Sequence, residues 1–380
     1  MHSFNCKRSR MKKFLILTAA ALAALVSCSK VQTAGDTEDR AISFQVGRYQ
    51  NTKADPADYK DAYASVPFGA YSWYKGVRAA NNTVFMTNQK VSYKAADNIW
   101  TPEGITYYWP KTGSLDFICY SPYVADAKGI SVTEDKIAFT DYTPGTDDLM
   151  YGDKATGLTN NVNTYYYNGV PVLFHHALAK LEFVVSAAYL EKTAETGDKT
   201  KWEITISKVT IKGVAATGSL ELALDGSGWK LPADKVWTPG GATKDITLDA
   251  GSLETLTDAP QALGGSIFVL PQLLAGGPQV EIVYTIKTYH DKGSGYELIL
   301  TENNITATAA LALDKLPQWG INQAITYTFS VAPTAGSGSD PKDSDKPVDP
   351  KNPDLKDVEI TFDPAQTDWE VIDAKATIQL

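Results

Sequence analysis

The chain has 380 residues, a net charge of −9 and three cysteines. An acidic balance without a basic stripe speaks against a nucleic-acid partner. So few cysteines exclude a disulfide scaffold, and the length admits two ordinary domains held by packed cores.

Residues 11–28 come first. Met11-Lys12-Lys13 is a positive start, Phe14 to Val26 is apolar without one charge, and Ser27 stands just before Cys28. That order reads as a secretory signal of the bacterial lipoprotein kind, with Cys28 as the lipidated first residue of the mature chain. The apolar run falls short of the roughly 20 residues that span a bilayer. Met1 to Arg10, with Cys6, reads as upstream sequence. The acyl groups on Cys28 would then be the only membrane attachment, each buried methylene contributing about 0.8 kcal/mol. The remaining cysteine, Cys119, follows Phe117 and Ile118 and reads as a small buried hydrophobe.

Almost everything after the signal reads as strand. Tyr is abundant at 20 residues, and Tyr, Thr and Val suit half-buried pleated surfaces. Alternation of apolar and polar residues marks 42–46, 202–206, 280–286 and 325–331. Turn signals fall between such runs at Asn81-Asn82, Lys111-Thr112-Gly113, Pro144-Gly145, Asp225-Gly226, Gly264-Gly265 and Gly276-Gly277. Many short strands with turns of this kind predict β-sandwiches. Residues 56–63 and 309–316 are the helical candidates.

A boundary is expected near Gly169-Val170-Pro171, giving a first sandwich over 54–171 and a second over 172–333. Residues 334–357 are rich in Pro, Asp, Lys, Gly and Ser and read as a flexible linker. Strand-like sequence returns over 358–380. So short a tail cannot fold alone. It must dock on an edge of its own sandwich or on an edge of another copy.

Candidate chemistry is sparse. His175-His176 lacks a third metal ligand, and neighbouring strand residues point to opposite faces. Packing or a boundary hydrogen bond is the simpler account. Asp147-Asp148 follows a Pro-Gly turn, without acidic residues repeated at calcium-ligand spacing. There is no phosphate loop at Gly264-Gly265 and no Gly-x-Ser-x-Gly elbow. The reading is therefore not of an enzyme: no catalytic residue, metal or cofactor is assigned. Tyr71, Trp73, Tyr74 and Tyr165 to Tyr167 look exposed and could stack on sugars, although a core or edge-strand role suits most of them better.

The order of motifs resembles the fimbrillins, the subunit family of type V pili. The lipobox is followed by a polar spacer and a first strand, Ile42 to Val46. Phe68-Gly69-Ala70-Tyr71-Ser72-Trp73, Trp100, Tyr107-Tyr108-Trp109-Pro110 and the stretch Leu115 to Tyr123 follow. Asp148-Leu149-Met150-Tyr151 and Phe174-His175-His176-Ala177-Leu178-Ala179-Lys180-Leu181 complete the series. The resemblance implies an all-β fold of two tandem transthyretin-like Greek-key β-sandwich domains with a tethered C-terminal strand pair. It implies export as an outer-membrane lipoprotein and a cell-surface location. It also implies trimming by a trypsin-like protease within a 29–53 spacer, and assembly with other fimbrial subunits by strand donation. The trimming position matching the family's arginine is Lys53, with Arg48 and Arg40 nearby. Cutting after Arg48 or Lys53 removes the first strand, whereas cutting after Arg40 leaves it.

The preferred reading is thus a structural fimbrial subunit that serves adhesion to a host or bacterial surface receptor. Removing the first strand would expose an apolar slot, and the tail of the next copy would fill it by β-strand addition. Val358, Ile360 and Phe362 with Trp369, Val371, Ile378 and Leu380 are the expected donor contacts. Head-to-tail contacts of this kind make open fibres. The alternative is a surface glycan-binding lipoprotein that stays monomeric and uses exposed aromatics.

Overall fold

The structure is a computed structural model. It describes residues 40–46, 65–161, 169–187, 190–193, 197–226, 228–248, 255–291, 293–333 and 358–367, with residues 79, 330–333 and 358–367 only as backbone. The chain divides into two units, Met1–Ala41 and Ile42–Leu380. Only Arg40 and Ala41 of the first are described. All the strands belong to the second.

The regular structure of the described residues is strand, apart from one 3-10 turn at Ala79–Asn81. The first half runs as β1 (Phe44–Val46), β2 (Phe68–Lys75), β3 (Thr83–Lys94), β4 (Ile99–Pro102), β5 (Ser114–Ser121), β6 (Ile130–Val132), β7 (Lys136–Tyr142), β8 (Met150–Gly152), β9 (Ala155–Leu158), β10 (Val170–Val172) and β11 (Phe174–His176). The second half begins with β12 (Ala179–Ala187), β13 (Glu191–Thr193), β14 (Lys199–Ala215), β15 (Gly218–Leu224), β16 (Trp229–Lys230), β17 (Thr238–Pro239), β18 (Thr243–Leu248) and β19 (Gln261–Ala262). It ends with β20 (Ile267–Val269), β21 (Gln272–Leu273), β22 (Gln279–Asp291), β23 (Glu297–Ala310), β24 (Gln318–Trp319), β25 (Gln323–Pro333) and β26 (Val358–Thr367).

Nine strands of the first half form one sheet in the order β10-β1-β4-β3-β2-β5-β8-β11, with β9 also on β5. The two ends of that order, β10 and β11, are separated in the chain by Leu173 alone. The sheet therefore curls until its ends meet, and both layers around the core come from it. Inside lie Ile42, Phe44, Phe68, Trp100, Trp109, Phe117, Val170 and Val172.

The second half is a sandwich. The sheet containing β12, β25 and β26 faces the sheet containing β14, β22 and β23 across a core that includes Phe183, Trp202, Ile204, Tyr284, Tyr327 and Phe329. Strict alternation builds it: along β12 every second residue from Ala179 to Ala187 is buried. Phe183 stacks on Tyr327 at 5.6 Å and on Phe329 at 5.8 Å.

A further sheet, β16-β15-β7-β6 with β17, joins the halves, because β7 pairs with β15. Beneath it a core shared by both halves gathers Tyr71, Trp73, Ile118, Phe139, Leu220, Trp237, Leu270 and Ile321. The indole of Trp237 donates to the Ala177 carbonyl at 2.8 Å.

That arrangement decides between the two readings of the aromatics on β2 in favour of the core. Residues 68–73 of β2 are all buried, since β2 is covered on both faces. Phe68 and Ala70 turn into the core of the curled sheet, and Tyr71 and Trp73 turn into the shared core. Tyr74 is half-buried, and Tyr165 to Tyr167 lie outside the described residues. The expected helix at 309–316 is absent. Strand β23 continues to Ala310 and a tight turn follows, closed by a bridge between Leu313 and Leu316. Leu311, Leu313 and Leu316 are buried, so their packing overrides the helix propensity of an Ala- and Leu-rich run. The other helical candidate, 56–63, lies outside the described residues.

Candidate functional site: the groove of the first strand

The first strand is seated inside the curled sheet. On one side β1 runs parallel to β10, with Phe44 beside Val170, Gln45 beside Pro171 and Val46 beside Val172. On the other side it runs antiparallel to β4, with Phe44 beside Trp100. Two further main-chain bonds hold it: Ile42 N–H donates to the Tyr107 carbonyl and Val170 N–H donates to the Ser43 carbonyl, each at 2.8 Å.

Side chains supply most of the grip. Phe44 is 0% exposed and Ile42 2%. The Phe44 ring meets Phe68 at 5.5 Å and Phe117 at 5.7 Å, both edge-on at 84° and 88°. Such geometry favours aromatic pairs beyond their buried area. The walls are apolar and aromatic: Met86, Val91, Trp100, Trp109 and Leu115 join Phe68 and Phe117. Cys119 lies in the same core, and burial pushes its thiol up, which keeps it unreactive.

Gly169 shapes the rim. A Cβ there would stand 2.8 Å from Gln45 Cγ and 3.0 Å from the Phe44 carbonyl carbon, and its φ of +149° suits glycine. Gly69 has a similar role on β2, where the Tyr120 ring occupies the space of its missing side chain, with Cε1 2.4 Å from an ideal Cβ. Because Gly69 pairs with Tyr120 across β2 and β5, these two motif stretches meet. The Tyr120 hydroxyl donates to Asn88 Oδ1 at 2.6 Å.

Since β1 lies between β10 and β4, its removal would leave both with an unpaired edge and open the core. The strand itself is legible in the sequence. Its walls are not: Gly169-Val170-Pro171 reads as a boundary, and nothing local marks it as one side of a groove. The sequence boundary at 171–172 falls within β10, and β11 returns to the curled sheet through β8.

The tail strand β26 lies antiparallel along β25 of its own chain, from Ala324 beside Thr367 to Pro333 beside Val358. Val358, Ile360 and Phe362 are on that strand. Trp369, Val371, Ile378 and Leu380 lie outside the described residues, as do Cys28, Arg48 and Lys53. Arg40 belongs to the first unit.

The histidine pair is tied to acidic neighbours. His175 Nε2 and Asp153 Oδ1 are 2.8 Å apart, and the imidazole stacks on Tyr151. His176 Nδ1 pairs with Asp148 Oδ2. Among the described residues no three His, Cys, Asp or Glu side chains are grouped closely enough to hold a metal ion.

Known proteins resemble the chain in family and in fold. The family model described as fimbrillin-like matches residues 52–341. A solved fimbrial protein from Bacteroides vulgatus matches with a TM-score of 0.52 at 15% identity, over 87% of this chain and 100% of that one. A Bacteroides uniformis protein designated for cell adhesion matches with a TM-score of 0.44 at 16% identity, over 87% and 98%. The tip fimbrial protein Mfa3 from Porphyromonas gingivalis does so with a TM-score of 0.34 at 12% identity, over 80% and 94%. At such identity the first of these likenesses speaks for the fold alone. No curated protein sequence matches the chain.

Proposed function

The chain belongs to the fimbrillin-like family, and from that premise we propose that it is a structural subunit of a cell-surface fimbria that serves adhesion. The precursor is exported as a lipoprotein through Cys28 and held at the outer membrane by its acyl groups. A trypsin-like protease trims it at Arg48 or Lys53, and subunits then polymerise by strand donation.

The observation that carries the proposal is the seat of β1. A strand of three residues lies between two others and, with Ile42 just ahead of it, fills an aromatic slot through Ile42 and Phe44. No other described strand precedes it, so a single cut downstream frees it without breaking any other described strand. The vacated slot offers two unpaired edges and an apolar floor, which suit an incoming strand of alternating pattern. The tail has that pattern and follows a linker of 24 residues, 334–357. A Pro-rich segment extends about 3.1 Å per residue, so the linker can reach a neighbouring molecule.

The N-terminus of protein recovered from cell-surface filaments tests the proposal. It is expected to lie just after Arg48 or Lys53. Filament protein that still carries residues 42–46 would overturn trimming as the step that opens the groove.

A further inference from the structure

The tail repeats the pattern of the first strand. Ile42-Ser43-Phe44-Gln45 occupies the groove, and Ile360-Thr361-Phe362-Asp363 stands in β26. Both have isoleucine, a hydroxyl residue, phenylalanine and a polar residue, in that order. We propose that residues 360–363 of a second copy replace residues 42–45 one for one, with Ile360 in the place of Ile42 and Phe362 in the place of Phe44. This rests on the strand-donation reading above and fixes its register.

Three observations support this alignment, and the first separates it from its neighbours. The first is the shape of the slot. A shift by one residue turns every side chain to the wrong face, so only shifts by two compete. Moving the tail two residues one way puts Ile360 into the phenyl site between Phe68 and Phe117. Moving it the other way puts Pro364 there. Only the proposed register sets a phenyl ring edge-on to both rings, as Phe44 is now at 5.5 and 5.7 Å.

The second is the main chain. The Ser43 carbonyl accepts from Val170, so residues 43 and 45 turn their peptide groups toward β10. Residues 42, 44 and 46 turn theirs the other way, where Ile42 meets Tyr107 and Phe44 meets Trp100. Ile360 and Thr361 can reproduce the bonds of Ile42 and Ser43. Pro364 then falls at Val46, beyond the single residue pair that links β1 to β4. Its missing N–H forfeits no bond to β10. The third is the rim at Gly169, where the absent Cβ admits a side chain with a Cγ at position 45. Asp363 carries one, as Gln45 does.

Before assembly the same segment is held at home, with Phe362 beside Phe329 and Ile360 beside Val331. One strand thus has two alternative seats, and assembly moves it from β25 to the groove of another copy.

Cysteine trapping in filaments of the full chain tests the register. Gln45 neighbours Pro171 across the β1–β10 pair, so Asp363→Cys with Pro171→Cys should form disulfides between copies on mild oxidation. Thr361→Cys with Pro171→Cys, two residues away, should not. Cys119 is buried and gives no background. Links through position 361 and not 363 would overturn the register while leaving strand donation standing. Filaments that link through neither would overturn the register, and links closed within one molecule would overturn both. Where the cysteine pairs hinder assembly, exchanging the two apolar residues (Ile360→Phe with Phe362→Ile) decides. It keeps composition but reverses the size order, and filament yield should fall at least about tenfold, the ratio that 1.4 kcal/mol produces. An unchanged yield would overturn the proposal.

Discussion

Replacing Phe44 with alanine in the untrimmed subunit tests whether the first strand is a sealing element. Phe44 is 0% exposed and loses two edge-on ring contacts, with Phe68 and Phe117, on truncation. Large-to-small changes of a buried phenylalanine cost about 3–5 kcal/mol. At roughly 2 °C per kcal/mol for a chain of this size, the Tm should fall by about 6–10 °C. A local readout is more telling, because β1 pairs with β4 at a single residue and with β10 at three. With its anchor gone, the strand should leave its seat before the rest of the molecule unfolds. Hydrogen exchange at the amides of Ile42 and Val170 should then accelerate by about a hundredfold or more, at 1.4 kcal/mol per factor of ten. If the proposed trimming holds, filaments assembled from the same variant should keep wild-type stability, since the altered residue would have been cut away. A Tm within about 1 °C of wild type, with unchanged exchange at both amides, would refute the reasoning.

Two further outcomes follow from the same geometry. Gly169→Ala brings a Cβ to 2.8 Å from Gln45 Cγ at a φ of +149°. It should destabilise the untrimmed subunit by about 1–3 kcal/mol in urea unfolding, and an unchanged midpoint would show that the rim is not tight. In alkali, burial raises Tyr142 to about 12, aided by the charges of Asp148 and Asp147, and burial also pushes Tyr120 and Tyr327 upward. An unfolded tyrosine titrates near 10, so this stability is complete below about pH 10 and is lost as the pH rises through 12. Tyrosinate absorbance from these rings should appear together with unfolding. Their titration near pH 10 in a still folded protein would contradict the burial.

Much of the second sandwich is legible in the sequence, because each strand there has one covered face. Trp202, Ile204 and Ile206 on β14, and Val280, Ile282, Tyr284 and Ile286 on β22, are buried at every second position. Where both faces are covered the alternation vanishes. That is why the pattern leaves Tyr71 and Trp73 open between a core and an exposed role, although β2 lies between two cores. The pairing of β7 with β15 is illegible for a different reason. It joins Phe139 to Leu220 across 80 intervening residues, and such a contact leaves no local periodicity. Leu311, Leu313 and Leu316 show the converse: local composition favours helix, but their side chains are spent on the core of the sandwich.

The groove combines two properties that usually conflict. A strand that closes a core must be held firmly, and a strand that is to be exchanged must come out. Here the two demands fall on different groups. The main-chain ladder of β1 is short, so few hydrogen bonds need to break at once. The grip comes instead from Ile42 and Phe44, set two residues apart in an aromatic slot. A grip of that kind is portable. Any segment presenting isoleucine and phenylalanine at the same spacing can restore it, and the slot selects by size where main-chain bonds alone could not. In the proposed register the tail would satisfy this with Ile360 and Phe362, and Pro364 would end the match just where the pairing with β4 has run out. In the proposed assembly proteolysis would supply the direction: a strand that has been cut away cannot compete for its former seat, so the exchange would proceed toward the fibre.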